Sequence, residues 1–197
     1  MIRFSALPTL ALCLLLGQVP HGQAQQVVQR GAFGTPNAIL DETGQWSTPL
    51  LLVRDHDVEI YIPDVSSQDW LRLNYPEYWN KYQYELTFLT FYRTPRACRQ
   101  NMIGWGSSDA NHLNLCETDI GYRIRRVKVD THLKSVTLVM AAMVDHNGQI
   151  VASTEEDEPV TRNWTDLDAN TQAALEQAST LVNQQMKVYD RHLQNSY

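Results

Sequence analysis

Apolar positions recur with a period of two through the middle of this chain and with a helical period near its end. Leu50-Leu51-Leu52-Val53 is a continuous apolar run, and Val58, Ile60 and Ile62 then alternate with Glu59 and Tyr61, as in a half-buried strand. Arg54-Asp55-His56-Asp57 reads as the turn between them, which predicts a hairpin. Tyr82 to Tyr92 is the clearest strand. Tyr84, Leu86 and Phe88 share one face while Leu89 and Phe91 fall on the other, so its second half is expected to be covered on both sides. Thr94-Pro95 is read as its end.

From Gly121 to Asp130 the alternation slips: Tyr122 and Ile124 have one parity, Val127 and Val129 the other. One extra residue at Arg125-Arg126, a β-bulge, would bring all four apolar side chains to one side. It would also send Arg123, Arg125 or Arg126, and Lys128 toward solvent. Leu133 to Asp145 continues as a long strand, and Asn147-Gly148 ahead of Ile150-Val151 is a two-residue hairpin signal. The result is a meander of antiparallel strands.

Thr154 to Pro159 reads as an acidic linker, and Thr165-Asp166-Leu167-Asp168 has the form of a capping box. Leu167, Ala174, Leu175, Ala178, Leu181, Val182, Val188 and Tyr189 then recur at helical spacing. A helix of about 25 residues reaches roughly 37 Å, more than a small sheet needs, so its far end is expected to run beyond the core. The fold predicted is α+β: a twisted antiparallel sheet of about four to six strands with the long C-terminal helix packed on one face. Two segments are less regular. Asp64 to Asn80 suggests a short capped helix through Asp69, Trp70, Leu71 and Leu73, and Cys98 to Cys116 reads as a loop.

The N-terminus changes the domain picture. Arg3 precedes an apolar run from Ala6 to Gly17, and Gly22-Gln23-Ala24 places small residues before Gln25. Residues 1–24 are read as a secretory signal peptide, and its brevity and Leu-rich core favour the bacterial periplasm. Gln25 to Gln45 carries Gly31, Gly34, Pro36 and Gly44, so 25–46 is read as a flexible arm with one short strand near Ala38 to Leu40. Residues 47–197 are read as a single domain.

The chain has 16 Lys and Arg against 22 Asp and Glu, a formal net charge of −6 that loss of Arg3 deepens by one. An exported acidic chain argues against nucleic acid as a partner. No second apolar run approaches the ~20 residues of a membrane span, so none is expected in the mature chain. Cys13 lies in the signal, leaving Cys98 and Cys116, which an oxidising compartment would pair. No Cys-x-x-Cys spacing points to a metal site, and neither metal nor cofactor is expected.

Candidate chemistry is sparse. Ser107, Ser108, Asp109 and His112 supply triad residue types without a Gly-x-Ser-x-Gly elbow, and a polar loop is the plainer reading. Asp55-His56-Asp57 has ligand types for a divalent ion but suits a solvated turn. Glu77 and Glu85 lie near Trp70, Tyr75, Tyr78, Trp79 and Tyr82, a composition that suits a sugar site or a protein interface. Four cations, Arg123, Arg125, Arg126 and Lys128, fall within six positions beside Tyr122. Read as a patch, they meet an acidic partner; read plainly, they are balanced by acids on a neighbouring element.

Together these features favour a periplasmic or secreted protein-binding module that docks through Trp70, Tyr78, Trp79, Tyr122, Arg123, Arg125, Arg126 and Lys128. Its partner would be another envelope or secreted protein. An accessory factor of an envelope or secretion system and an inhibitor or immunity protein both fit. An exported hydrolase of carbohydrate or ester and a small-ligand carrier are the alternatives, and the long helix admits a homodimer.

Overall fold

The computed structural model describes residues 28–30, 36–40, 46–65, 82–105, 109–118, 120–147, 149–155 and 160–194. The expected signal peptide, the short helix after Ser66, Trp70, Tyr78, Trp79, Glu77 and the Ser107-Ser108 pair lie outside these residues. The elements run β1 (Val28–Arg30), β2 (Pro36–Leu40), β3 (Trp46–Ser47), β4 (Pro49–Arg54), β5 (Val58–Pro63) and β6 (Gln83–Tyr92). Then follow α1 (Pro95–Gly104), α2 (Ala110–Thr118), β7 (Ile120–Asp130), β8 (Ser135–Asp145), β9 (Ile150–Glu155), β10 (Thr161–Asn163) and α3 (Ala169–Gln194).

The fold is α+β. A seven-stranded sheet runs β10-β8-β7-β6-β5-β4, with β9 paired beside β10's position along β8, and every pairing is antiparallel. The expected β4–β5 hairpin forms: Asp55 Oδ1 accepts from the N–H groups of Asp57 and Val58, both at 2.7 Å, which closes the turn. A β-bulge at Leu52 lets β4 bend across the end of the sheet.

One face of the sheet carries the main core. Val58, Ile60, Ile62, Tyr84, Leu86, Phe88, Val127, Val129, Val136 and Leu138 meet Ala174, Leu175, Ala178, Val182 and Met186 of α3. The small residues Ala174 and Ala178 let the helix approach closely, while Leu175 and Val182 fill the space between strands. Within this core the Tyr84 hydroxyl donates to Ser179 Oγ at 2.8 Å, and burial pushes its phenol up, partly offset by that bond. The helix starts later than the expected capping box. A 3₁₀ turn occupies Trp164–Asp166, and Asp168 caps α3 by accepting from Thr171 N at 3.0 Å. Its far end leaves the core, with Val188 45% exposed.

Among the described residues, the opposite face is covered at one end. Tyr61, Leu89, Tyr122, Ile124, Ala142 and Val144 are buried there with Ile39 of β2. Strands β1, β2 and β3 form a separate three-stranded sheet, so the segment expected as a flexible arm is anchored where Ile39 inserts. Tyr61 and Phe91 meet edge to face in this layer, with centroids 5.7 Å apart. The second half of β6 is therefore covered on both sides.

Two expectations need correction. Cys98 to Cys116 is not a loop but two helices. Thr94 caps α1, its side chain accepting from Ala97 N, and Pro95 occupies the first turn, where its missing N–H costs nothing. Asp109 opens α2 by accepting from Asn111 N at 2.8 Å. The bulge near Arg126 also falls on the other strand. The nine β6–β7 pairs run without a slip from Gln83↔Asp130 to Phe91↔Tyr122, whereas Arg126↔Met140 is followed by Val127↔Leu138, which makes Val139 of β8 the extra residue. From Tyr122 to Asp130 strand β7 keeps its alternation, so Tyr122 and Ile124 face β2 while Val127 and Val129 face α3.

Candidate functional site

Unbroken alternation on β7 divides its four cations between two environments. Arg123 and Arg125 share the face of Val127 and lie beneath α1, 7% and 1% exposed. Arg126 and Lys128 point from the other face, their side chains 40% and 62% exposed. The expectation that Arg123 and Arg125 face solvent is thus corrected, and Tyr122, 1% exposed, is buried as well. None of these three side chains is presented to a partner in this structure.

Arg126 donates to Glu85 Oε2 of β6 through Nε and Nη2, at 3.0 and 2.8 Å, and Lys128 Nζ lies 3.6 Å from Glu85 Oε1. Asp130 follows on the same face. Desolvation works upward on its carboxyl, but the N–H groups of Leu133 and His132 and the Gln83 amide outweigh it and hold the group below the usual range. Two cations and two carboxylates therefore share this half of the face, so its charge is mixed rather than basic. The patch is balanced by Glu85 on the neighbouring strand and by Asp130 at the end of β7.

A cleft of about 620 Å³ opens over these groups, lined among others by Gln83, Glu85, Lys128, Asp130, Leu133 and Thr137. Thr137 and Thr161 hydroxyls lie 2.7 Å apart across the β8–β10 pairing at its wall. Leu133, at the β7–β8 turn, is two-thirds exposed. The chain that carries Trp70, Tyr78 and Trp79 re-enters the described structure at Tyr82, next to Gln83 in the cleft wall, and Tyr82 stacks on His132 with centroids 5.3 Å apart.

Beneath α1 the chemistry differs. Arg125 Nη2 donates to Asn101 Oδ1 and to the Tyr92 hydroxyl at 3.3 Å, and Nη1 reaches Thr90 Oγ1 at 3.4 Å. Its guanidinium lies over the Trp105 ring, 4.9 Å from the centroid. Asn101 passes the contact on, donating through Nδ2 to Asp168 Oδ2 at 2.8 Å. The α3 cap is thereby tied to β7 through an amide rather than a direct ion pair. Cys98 and Cys116 are bonded, joining α1 to α2, and pack with Met102 and Met143 beside this network.

The other candidate groups do not assemble into a reaction centre among the described residues. His112 Nδ1 lies 3.7 Å from Asp109 Oδ2 on the surface of α2. Glu85 is occupied by Arg126 and Lys128. Asp55 is held low in pKa: desolvation opposes it, but the N–H groups of Asp57 and Val58 and the Asn170 amide prevail. Among the described residues no three His, Cys, Asp or Glu side chains converge as metal ligands, and no helix is long and apolar enough to cross a membrane.

Sequence reasoning missed Asn101 and Trp105, and named Asp168 only as part of a capping box. The Thr94-Pro95 pair was the available signal, because a cap followed by proline opens a helix and would have placed Asn101 and Trp105 on it. No protein-family model matches the chain, and no match is found among curated proteins or among solved structures.

Proposed function

We propose that this protein is an exported protein-binding module that docks through the open polar half of its sheet face. It acts as an accessory factor of an envelope or secretion system, or as an inhibitor or immunity protein. The observation that carries the reading is the cleft over Glu85, Lys128, Asp130 and Leu133, beside the point where the Trp- and Tyr-rich stretch joins the fold. Mixed charge there suits selection of one partner over another, since a misplaced like charge on the wrong partner is costly. Exposed Leu133 supplies an apolar anchor at the rim. The bonded Cys98–Cys116 pair and the signal-like N-terminus are compatible with an oxidising, exported setting.

The test is capture of partners from the native envelope by tagged wild-type protein and by Lys128→Glu, Leu133→Asp and Trp79→Ala variants, read by mass spectrometry. A stoichiometric partner lost by the variants and kept by Ile103→Ala, an exposed residue of α1, supports the reading. A wild-type chain without partner at low salt, or a partner indifferent to all three variants, rejects it.

A small-ligand carrier is the second reading, because about 620 Å³ falls within the range of ligand pockets. Its polar side chains, among them Gln83, Glu85, Asp130 and Thr137, interleave with Tyr84 and Leu133 and favour a hydroxylated ligand such as a carbohydrate, and a saturable change in Trp and Tyr fluorescence on titration with sugars would support it. The homodimer that the long helix admits would rest on the exposed Val188 turn of α3 and is read by light scattering.

A further inference from the structure

Arg123 and Arg125 occupy alternate positions of one strand, on one face, more than nine-tenths buried. Guanidinium groups so placed are ordinarily matched by carboxylates, because an uncompensated buried charge is strongly unfavourable. Here the side-chain partners of Arg125 are the neutral groups of Asn101, Tyr92 and Thr90. Among the described residues Arg123 Nε and Nη1, Arg125 Nε and Trp105 Nε1 are buried donors without an acceptor. Asp168 is turned toward Asn101 and Thr171, and reaches Arg125 only through the amide. Burial, with the positive charge of Arg125, pulls the Arg123 guanidinium down to about 9 against an upward pull from Tyr92, so it stays charged at neutral pH.

We propose that Arg123 and Arg125, the buried and incompletely partnered arginines of β7, form a binding site for one small oxyanion. The planar forks of two guanidiniums match the oxygens of phosphate, sulfate or a carboxylate, and each bond would be charge-assisted. The anion supplies acceptors to donors that otherwise have none and removes the repulsion between the two arginines.

A groove of about 160 Å³ lies between Tyr92, Thr94, Cys98, Cys116, Thr118 and His146, and its wall residue Tyr92 accepts the hydrogen bond from Arg125 Nη2. Glu117, also on this groove, lies 3.3 Å from Arg99 Nε, so its charge is partly met. The disulfide joins the two helices beside the groove.

The experiment is calorimetric titration of the purified protein with sodium sulfate, sodium phosphate and sodium acetate, at fixed ionic strength in a chloride background. Saturable one-to-one binding is expected for at least one of the three, weakened about tenfold or more in Arg123→Gln and unchanged in Arg191→Gln. Acetate binding without phosphate or sulfate identifies a carboxylate site, and the reverse identifies a tetrahedral anion. Thermal unfolding gives a second readout: Arg123→Met is expected to match or exceed wild type without the anion, and wild type to overtake it once the anion is added. Absence of saturable binding by all three salts in wild type overturns the proposal, as does binding that Arg123→Gln leaves unchanged. The wild-type titration decides the matter even where a variant fails to fold.

Discussion

The two pairs of cations on β7 are chemically alike and lie one residue apart, yet they live in different surroundings. Arg126 and Lys128 share Glu85, remain hydrated and lie over an open cleft, so their ion pairs contribute little to stability and are weakened by salt. Arg123 and Arg125 are desolvated under α1 and meet hydroxyls, an amide and an indole ring in place of carboxylates. What separates the pairs is strand parity and the cover over each face, not residue type. A cluster of positive charge in a sequence is thus no measure of the charge a surface presents.

The sharpest way to break this contrast is to remove the acceptor under α1. Asn101→Ala strips Arg125 Nη2 of one partner and Asp168 of another, and we expect a loss of about 3–5 kcal/mol in urea unfolding. A loss below about 1 kcal/mol would show that the network does not support the fold. Next comes the cover itself. Replacing Cys98 and Cys116 together by Ala frees a crosslink spanning 18 positions, and a loss of about 3 kcal/mol is expected. Faster hydrogen exchange in α1 and α2 than in α3 would place the effect at the cover.

On the open face, Asp130→Ala removes the acceptor for His132 N, Leu133 N and the Gln83 amide, at an expected cost of about 1–2 kcal/mol at pH 7. Because folding holds this carboxyl below its ordinary 3.8, its stabilisation is complete above that value and disappears as pH falls through the folded value. The gap between wild type and Asp130→Ala should therefore narrow in acid, below about pH 4, and a gap that stays constant there would refute the assignment. The smallest effect is expected for Arg126→Met, about 0.5 kcal/mol at low salt and nothing measurable in 1 M NaCl. A cost as large as that of Asn101→Ala would erase the distinction between the faces.

Much of the architecture was legible in the chain because it depends on local period and turn chemistry. The β4–β5 turn followed from Arg54 to Asp57 between two apolar runs, and the two-sided burial of β6 from Phe88 and Leu89 both being apolar. The length of α3 followed from an apolar stripe without Gly or Pro. The misreadings share another cause. The slip in β7 was explained by a bulge on that strand, when the switch from Tyr122 and Ile124 to Val127 and Val129 marks a change in which face is buried. Sequence alternation reports burial but does not say whether cover comes from α3 or from β2, since both are distant along the chain.

The candidate site was legible only in part. Lys128 and Arg126 lie on the open face as expected, with the acid on the neighbouring strand that the plainer reading required. Glu85 could be named as a carboxylate but not as their partner, because β6 and β7 are set in register by nine consecutive pairs across an intervening α1 and α2. Taken alone, the sequence determined most strands of the main sheet, the hairpins, the long terminal helix and the pairing of Cys98 with Cys116, all consequences of short-range periodicity and residue chemistry. Tertiary structure alone decided which arginines are buried, that Asn101 stands between Arg125 and Asp168, and where the cleft opens. Those depend on which distant segments cover each face, and burial sets the energy of a charge more strongly than the charge itself.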